Sequence, residues 1–160
     1  MSTPSNPASK VMTLPDAVAW RRAVSGTVAF TNGVFDLLHP GHVDLLVGAR
    51  RTADLLIVAL NSDDSVRRLK GAERPIRKEA ERAYVIAALD MVDAVVLFSE
   101  DTPLETIMAL RPDIIVKGGD YSESTIVGAR EIRAWGGTVA IIPLTPGQST
   151  TSIIQRLRDS

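Results

Sequence analysis

Short apolar segments alternate along this chain with longer stretches of helical spacing. Residues 27–31, 55–60, 94–98, 113–116 and 138–142 are rich in Val, Ile, Leu, Ala and Phe at successive rather than alternate positions. Such runs predict strands covered on both faces, as in a parallel sheet. Between them the apolar residues fall three and four apart. Ala17, Val18, Trp20 and Val24 predict a helix over 15–24, with Thr13 as N-cap and Gly26 as its stop. Val43, Leu45, Leu46 and Ala49 predict a second helix over 41–51, and Ala83, Val85, Ile86 and Leu89 another over 79–89. A short helix over 65–69 follows the capping residues Asn61-Ser62-Asp63. A helix over 103–110 has Thr102 as cap and Pro103 at its first position, one over 126–135 stops at Gly136-Gly137, and 149–158 closes the chain.

Strand and helix therefore alternate throughout, which predicts a Rossmann-like three-layer α/β/α domain with a five-stranded parallel sheet. Ligands in such folds bind beyond the carboxyl ends of the strands. The polar segments after the strands, 31–42, 61–63, 99–102, 117–121 and 143–150, are where chemistry is expected.

Composition narrows the picture. The chain has 160 residues, enough for one domain with a core, and no repeat or linker divides it. Residues 1–12, rich in Ser, Pro and Thr, are expected to form a disordered tail, and 13–160 a single domain. Lysine plus arginine (18) nearly balances aspartate plus glutamate (19), so no overall charge drives the chain to nucleic acid or anionic membrane. There is no cysteine, which removes disulfides, thiolate catalysis and cysteine-based zinc sites. No apolar run reaches membrane-spanning length, and the first residues lack a signal-peptide pattern, so a cytoplasmic location is expected.

Both histidines of the chain, His39 and His42, lie in one turn between the first long strand and its helix. A helix N-terminus offers free N–H groups and the positive end of a dipole, which suits phosphate. The spacing places both imidazoles on one side of the first helical turn, where each is biased toward the neutral form yet donates one N–H. Pro40-Gly41 between them allows a tight turn and a close approach to ligand. The alternative is a pair of capping or half-buried histidines. A protein metal site is not expected, because no third histidine and no cysteine exist. Lys70 and Arg74 flank Gly71 and can neutralise phosphates, or are solvated surface charge. Asp36 can bond the turn's own backbone, Asp63 can cap a helix, and Arg82 reads as a helix-surface arginine. Ser149-Thr150 at the start of the last helix reads as an N-cap or as a holder of phosphate oxygens.

The string Gly33-Val34-Phe35-Asp36-Leu37-Leu38-His39-Pro40-Gly41-His42 resembles the signature of the nucleotidyltransferase superfamily of cytidylyltransferases and small adenylyltransferases. Thr31-Asn32-Gly33, Asn61-Ser62-Asp63, Leu69-Lys70-Gly71, Arg74-Pro75-Ile76, Val116-Lys117-Gly118-Gly119-Asp120-Tyr121, Val127-Gly128-Ala129 and Gly147-Gln148-Ser149-Thr150-Thr151 are similar to the adenylyltransferases acting on D-glycero-β-D-manno-heptose 1-phosphate. In many bacteria that activity is half of a bifunctional protein with a sugar kinase, and a stand-alone form is expected here. The resemblance implies transfer of AMP from ATP to the sugar phosphate with release of pyrophosphate, for lipopolysaccharide core or related heptose glycans. It implies His39, His42 and Lys70 as catalytic residues. Asn32, Gly33, Val34, Phe35, Gly41, Lys117, Gly119, Asp120, Ser149 and Thr150 would hold the nucleotide, and Asp36 and Arg74 the acceptor. Mg²⁺ would bridge phosphate oxygens, and a homodimer is expected, with Trp20 or Trp135 available to an interface. Glycerol 3-phosphate cytidylyltransferases carry arginine where this chain has Leu144 and tend to carry a hydroxyl residue at Val34, which favours adenine over cytosine. The alternatives are another cytidylyl- or adenylyltransferase of the superfamily, or a catalytically silent nucleotide-binding module on the same fold.

Overall fold

The computed structural model describes residues 5–119 and 121–160. A 3₁₀ turn, Pro7–Lys10, leads into strand β1 (Val11–Met12) and helix α1 (Leu14–Ala23). There follow β2 (Val28–Gly33), α2 (Pro40–Arg50), β3 (Leu55–Asn61), α3 (Asp63–Lys70), α4 (Glu79–Ala87), β4 (Ala94–Phe98) and α5 (Leu104–Leu110). The chain ends with β5 (Ile114–Gly118), a 3₁₀ turn (Glu123–Thr125), α6 (Ala129–Ala134), β6 (Thr138–Ile142) and α7 (Thr150–Arg158). All strand pairings are parallel, in the order β1-β4-β3-β2-β5-β6.

Among the described residues the sheet has six strands, not the expected five. The added strand is β1, which lies inside the segment expected to be a disordered tail. Val11 and Met12 pair with Val95 and Val96 of β4. The polar residues before them are fixed by local bonds. Asn6 caps the turn by accepting from the Ala8 N–H, and the Lys10 ammonium donates to the Val92 carbonyl at 2.7 Å. Five residues of Ser, Pro and Asn character thus act as a strap rather than a coil. Residues 1–4 lie outside the described residues.

Each central strand is buried on both faces with period two. Val28, Phe30, Ile57 and Ala59 face α1, α5 and α6, packing with Ala17, Ile107 and Ile132. Ala29, Leu56, Val58 and Leu60 face α2 and α4, packing with Leu46, Ala49, Ala83 and Ile86. This makes three layers. Trp20 and Trp135 are spent on the first of these cores, and the Trp135 indole N–H donates to the Pro112 carbonyl at 2.9 Å.

Helix ends follow the expected capping chemistry with three exceptions. Thr13 and Ser62 accept from Asp16 and Ser65 N–H groups as N-caps of α1 and α3, so α3 starts at Asp63 rather than 65. Pro103, not Thr102, precedes α5, with no side-chain cap. The helix expected over 126–135 is shorter, because Gly128 adopts φ +85° and a Cβ there would meet Ile107 at 2.9 Å. The chain must turn at that glycine before α6 can begin.

The sheet's organisation places one crevice. From β2 the chain winds outward through β3 to β4, then crosses back to β5 on the other side of β2. The β2–β5 ladder pairs Ala29 with Ile114 and Phe30 with Ile115, whereas β2 and β3 stay paired as far as Gly33 and Leu60. Beyond Phe30 the carboxyl ends of β2 and β5 therefore part, at the point of reversal where doubly wound sheets bind ligand.

Candidate active site

A cavity of about 470 Å³ opens over these strand ends. That lies within the usual size of a small-molecule site. Its wall includes Val34, Phe35, Asp36, His39, Gly41 and His42 from the turn after β2, with Lys70, Arg74, Ser149 and Thr150 from the segments around α3 and α7. Asn32, Gly33, Lys117 and Gly119 are not part of the wall, and Asp120 lies outside the described residues.

The turn is built by unusual local choices. Phe35 sits at φ +47°, a conformation that costs a non-glycine residue energy and is held by its surroundings. Its ring is buried and lies over Gly33, where a Cβ would come within 2.9 Å of it. The ring also meets His42, centroid to centroid at 5.0 Å, and His42 in turn stacks on His39 at 3.8 Å. His39 is the N-cap of α2, its Nδ1 accepting from the Gly41 N–H at 3.1 Å. That bond leaves Nδ1 unprotonated and puts the His39 proton on Nε2. Gly41 lines the cavity and also permits this packing, since a Cβ there would meet the His39 ring at 3.0 Å and Gln148 at 3.2 Å.

Burial lowers the pKa of His39, and burial followed by repulsion from His39 lowers that of His42 to about 4. Both rings are neutral at pH 7, which makes their stacking free of charge repulsion. The sign of the resulting linkage is definite. Between pH 6.5 and about 4 the unfolded chain binds a proton at His42 that the folded chain refuses, so stability falls as pH falls through this window. The thermal midpoint is expected to drop over that range, and to drop less in His42→Gln. Equal drops in the two proteins would refute the assignment.

Asp36 and Arg74, expected to contact the acceptor, both lie on the cavity wall and bond to each other there. The Asp36 carboxylate is 3% exposed and accepts from Arg74 Nε (2.8 Å) and from the N–H groups of Ile76 (2.8 Å) and Arg77 (2.9 Å). Burial pushes its pKa up, but the Arg77 and Ile76 N–H bonds and the Arg74 guanidinium outweigh that and hold it below the usual carboxylate range. Asp36 thus fastens the basic loop 71–78 to the histidine turn.

A second fastener was invisible in the sequence. Arg82 of α4 is not on the helix surface; it is 1% exposed. Its guanidinium donates to the carbonyls of Val34 (2.8 Å) and Arg77 (3.0 Å) and to the Asp63 carboxylate (2.9 Å). Asp63 is therefore the partner of a buried cation rather than a cap. Glu79 also accepts from the Asp63 N–H at 2.7 Å, so α4 meets Asp63 through both residues.

Lys70 ends α3, immediately before Gly71 at φ +101°. Ser149 caps α7 by accepting from the Ser152 N–H at 3.0 Å, and the Thr150 hydroxyl donates to the Leu37 carbonyl at 3.2 Å. The N-terminus of α7 is thereby tied to the turn that begins α2, so two helix N-termini face one cavity. Lys117 lies within β5 rather than in the loop after it. Ile115, two residues earlier, faces the α1/α5/α6 core, and so does Phe30, two before Asn32. The Lys117 ammonium donates to Asn32 Oδ1 at 2.6 Å across the parted ends of β5 and β2. Burial beside a neutral amide lowers its pKa to about 8.

Wall residues outside the expected set are Leu45, Gly118, Tyr121, Pro143, Leu144, Thr145, Gln148 and Thr151. Most follow β5 and β6, where the fold class alone points.

Residues 30–156 match the family described as Cytidylyltransferase-like. The chain belongs to that family. It is 57% identical to the Bifunctional protein HldE of Acidiphilium cryptum over 142 residues, 89% of this chain and 29% of that protein. The chain thus spans about a third of the length of the curated relatives it matches. Among solved structures it is similar to the lipopolysaccharide core biosynthesis protein from Thermoplasma volcanium, with TM-score 0.62 and 31% identity over 76% of this chain and 98% of that one. A pantoate-β-alanine ligase from Francisella tularensis shares the fold, with TM-score 0.63 at 15% identity over 92% of this chain and 76% of that one. No helix among the described residues is long and apolar enough to cross a membrane.

Proposed function

We propose that the chain transfers AMP from ATP to D-glycero-β-D-manno-heptose 1-phosphate, giving ADP-heptose and pyrophosphate. The observation that carries the transfer chemistry is the meeting of the stacked His39–His42 pair, Lys70 and the N-terminus of α7 on one cavity. The acceptor reading is supported by the motif resemblances and by the similarity to the HldE proteins and to a lipopolysaccharide core biosynthesis protein.

A phosphate oxygen of the sugar 1-phosphate attacks the α-phosphorus of ATP in line, and the bond to the bridging oxygen of pyrophosphate breaks. The attacking group is already ionised at neutral pH, so no general base is required. The protein's part is to position and to stabilise charge. Neutral His39 and His42 donate N–H groups to the α-phosphate. Lys70 and the N–H groups at Ser149 and Thr150 hold the β,γ end. Lys117, outside the cavity wall, ties the end of β5 to Asn32 of β2 behind the site. Asp36 and Arg82 fix the loops. Mg²⁺ bound with ATP would supply charge neutralisation at the phosphates; Asp36, the wall carboxylate, spends both oxygens on Arg74, Ile76 and Arg77 and would not hold the ion. A cytoplasmic homodimer completes this reading, with light scattering as the check on its size.

The test is pyrophosphate release from ATP and from CTP against heptose 1-phosphate, glycerol 3-phosphate, FMN and phosphopantetheine. Release is expected with ATP and heptose 1-phosphate. Release with CTP and glycerol 3-phosphate instead would overturn the acceptor and the base, and none with any pair would leave a silent nucleotide-binding module. Lys117 adds a pH signature. With a pKa of about 8 it loses its charge as pH rises through 8, which weakens its tie to Asn32 between β5 and β2, so kcat/KM is expected to fall there. Lys117→Met should be lower and flat over the same range. A Lys117→Met profile that still falls above pH 8 would assign the drop to another group.

A further inference from the structure

Helices α1 and α5 precede β2 and β5, so both end at the amino end of the sheet, away from the catalytic cavity. Between their last turns lies a cleft of about 340 Å³, lined by Val18, Arg21, Arg22, Val24, Leu110 and Arg111. Its volume suits a small molecule, and it shares no residue with the catalytic wall. Leu110 is buried, and Val18 and Val24 are half-buried, so the cleft has an apolar floor under its three guanidinium groups.

The carboxylates at this end are spent on strand starts. Asp54 accepts from the Thr27 N–H (2.7 Å), Asp93 from the Leu56 N–H (2.8 Å) and Asp113 from the Val28 N–H (2.7 Å). Asp113 also accepts from Arg21 at 2.8 Å, whose Nε is buried without a partner. Among the described residues, neither Arg22 nor Arg111 forms an ion pair. Arg111 caps α5 at φ +48°, where glycine is the common choice and any other residue costs energy. Its guanidinium lies over the Trp135 ring, 5.1 Å from the centroid. Each helix C-terminus adds about half a negative charge. With Asp113 the two helix ends offset about two of the three arginine charges, and the cleft stays cationic.

We propose that this cleft is a second ligand site, taking a phosphate group, either the free ion or an ester on an apolar body. Planar guanidinium forks pair with phosphate oxygens through charge-assisted bonds, and three forks on one cleft match the several free oxygens of a phosphate better than the two of a carboxylate. The floor of Val18, Val24 and Leu110 suits the carbon body of an ester. The site is independent of the adenylyl-transfer reading, because none of its residues belongs to the catalytic cavity.

Tryptophan fluorescence reads this cleft selectively. Trp135 lies under Arg111, Trp20 adjoins Arg21 in the chain, and neither is on the catalytic wall. Inorganic phosphate and phenyl phosphate are each expected to change the emission saturably, beyond the effect of sodium chloride at matched ionic strength. Arg22→Ala and Arg111→Gly should weaken that response roughly tenfold or more, the cost of a hydrogen bond to a charged group. Both variants should fold, because Arg22 is exposed and glycine is at ease at the φ of Arg111. Lys70→Met, altered only at the catalytic cavity, should titrate like the wild type. Phenyl phosphate binding several-fold tighter than phosphate would assign the site to an ester, and equal affinity would assign it to the free ion. A response matched by sodium chloride overturns the proposal. So does unchanged affinity in both arginine variants, and so does loss of the response in Lys70→Met, which would place the ligand in the catalytic cavity.

Discussion

Alanine at position 42 is expected to lower turnover about 10²–10³-fold, the typical cost of removing one preorganised donor from a charge-stabilising site. The geometry explains why this imidazole matters. His42 is wedged between the Phe35 and His39 rings, with its Nδ1 buried and without a hydrogen-bond partner among the described residues. A lone pair tolerates that burial better than an N–H does, so the proton belongs on Nε2, the nitrogen left to meet a phosphate. The ring is held by stacking rather than by a hydrogen bond, so it is oriented before substrate arrives and reorganises little as charge builds on the α-phosphorus. An interaction that strengthens mainly in the transition state is lost from kcat and kcat/KM together. Steady-state pyrophosphate release should therefore show a large fall in kcat with a small change in the KM for ATP. A fall confined to KM would make His42 a plain binding residue, and turnover within a few-fold of wild type would remove it from the chemistry. His42→Asn, which keeps a neutral donor on a shorter side chain, should recover only part of the loss.

The histidine turn was legible because it concentrates residue types with few other uses. Two histidines, a proline and a glycine within four positions follow an apolar run and open an amphipathic one, and each of those signals is local. The strands were legible for a similar reason. Burial on both faces demands unbroken apolar runs, and Leu55–Asn61 or Ala94–Phe98 has no competing reading. The edge strand Val11–Met12 was not legible, because two residues carry no period. What holds it is the pairing to Val95 and Val96 and the reach of Lys10 to the Val92 carbonyl, both distant in sequence.

Partners distant in sequence also account for what the site reading missed. The resemblance puts Lys117 with the residues that would hold the nucleotide. Alternation along β5 puts it with Ile115 on the opposite face of the sheet from α2, and the sequence does contain that alternation. Asp36 belongs to the motif, yet its work is to hold Arg74, Ile76 and Arg77, about forty positions away. A motif names the residues that converge and leaves open which meet substrate and which hold the others.

Arg82 is the sharpest case of the second kind, and its substitution has the largest expected effect on stability. Its side chain is wholly buried, and its three bonds join the histidine turn at Val34, the basic loop at Arg77 and the start of α3 at Asp63. Arg82→Ala would leave two backbone carbonyls and a largely buried carboxylate without partners, and would open a cavity where the guanidinium lies. Removing one member of a buried ion pair typically costs about 3–5 kcal/mol. For a chain of this length that corresponds to a fall of roughly 6–20 °C in the thermal midpoint. Lysine is not a conservative replacement, because one ammonium cannot reach three acceptors arranged around a planar fork. Adding Asp63→Asn to Arg82→Met removes the orphaned charge but not the orphaned carbonyls, so the double variant should recover part of the loss and not all of it. Calorimetric unfolding of Arg82→Ala, Arg82→Lys, Arg82→Met and the double variant checks this. A midpoint within about 2 °C of wild type in Arg82→Ala, less than a single kcal/mol at this chain length, would show that water or a neighbouring side chain replaces the guanidinium. In the protein that remains folded, loss of this tie frees the histidine turn and the Lys70 loop from one another. The KM for ATP should then rise along with the fall in kcat, which distinguishes a positioning residue from His42, where kcat alone carries the effect.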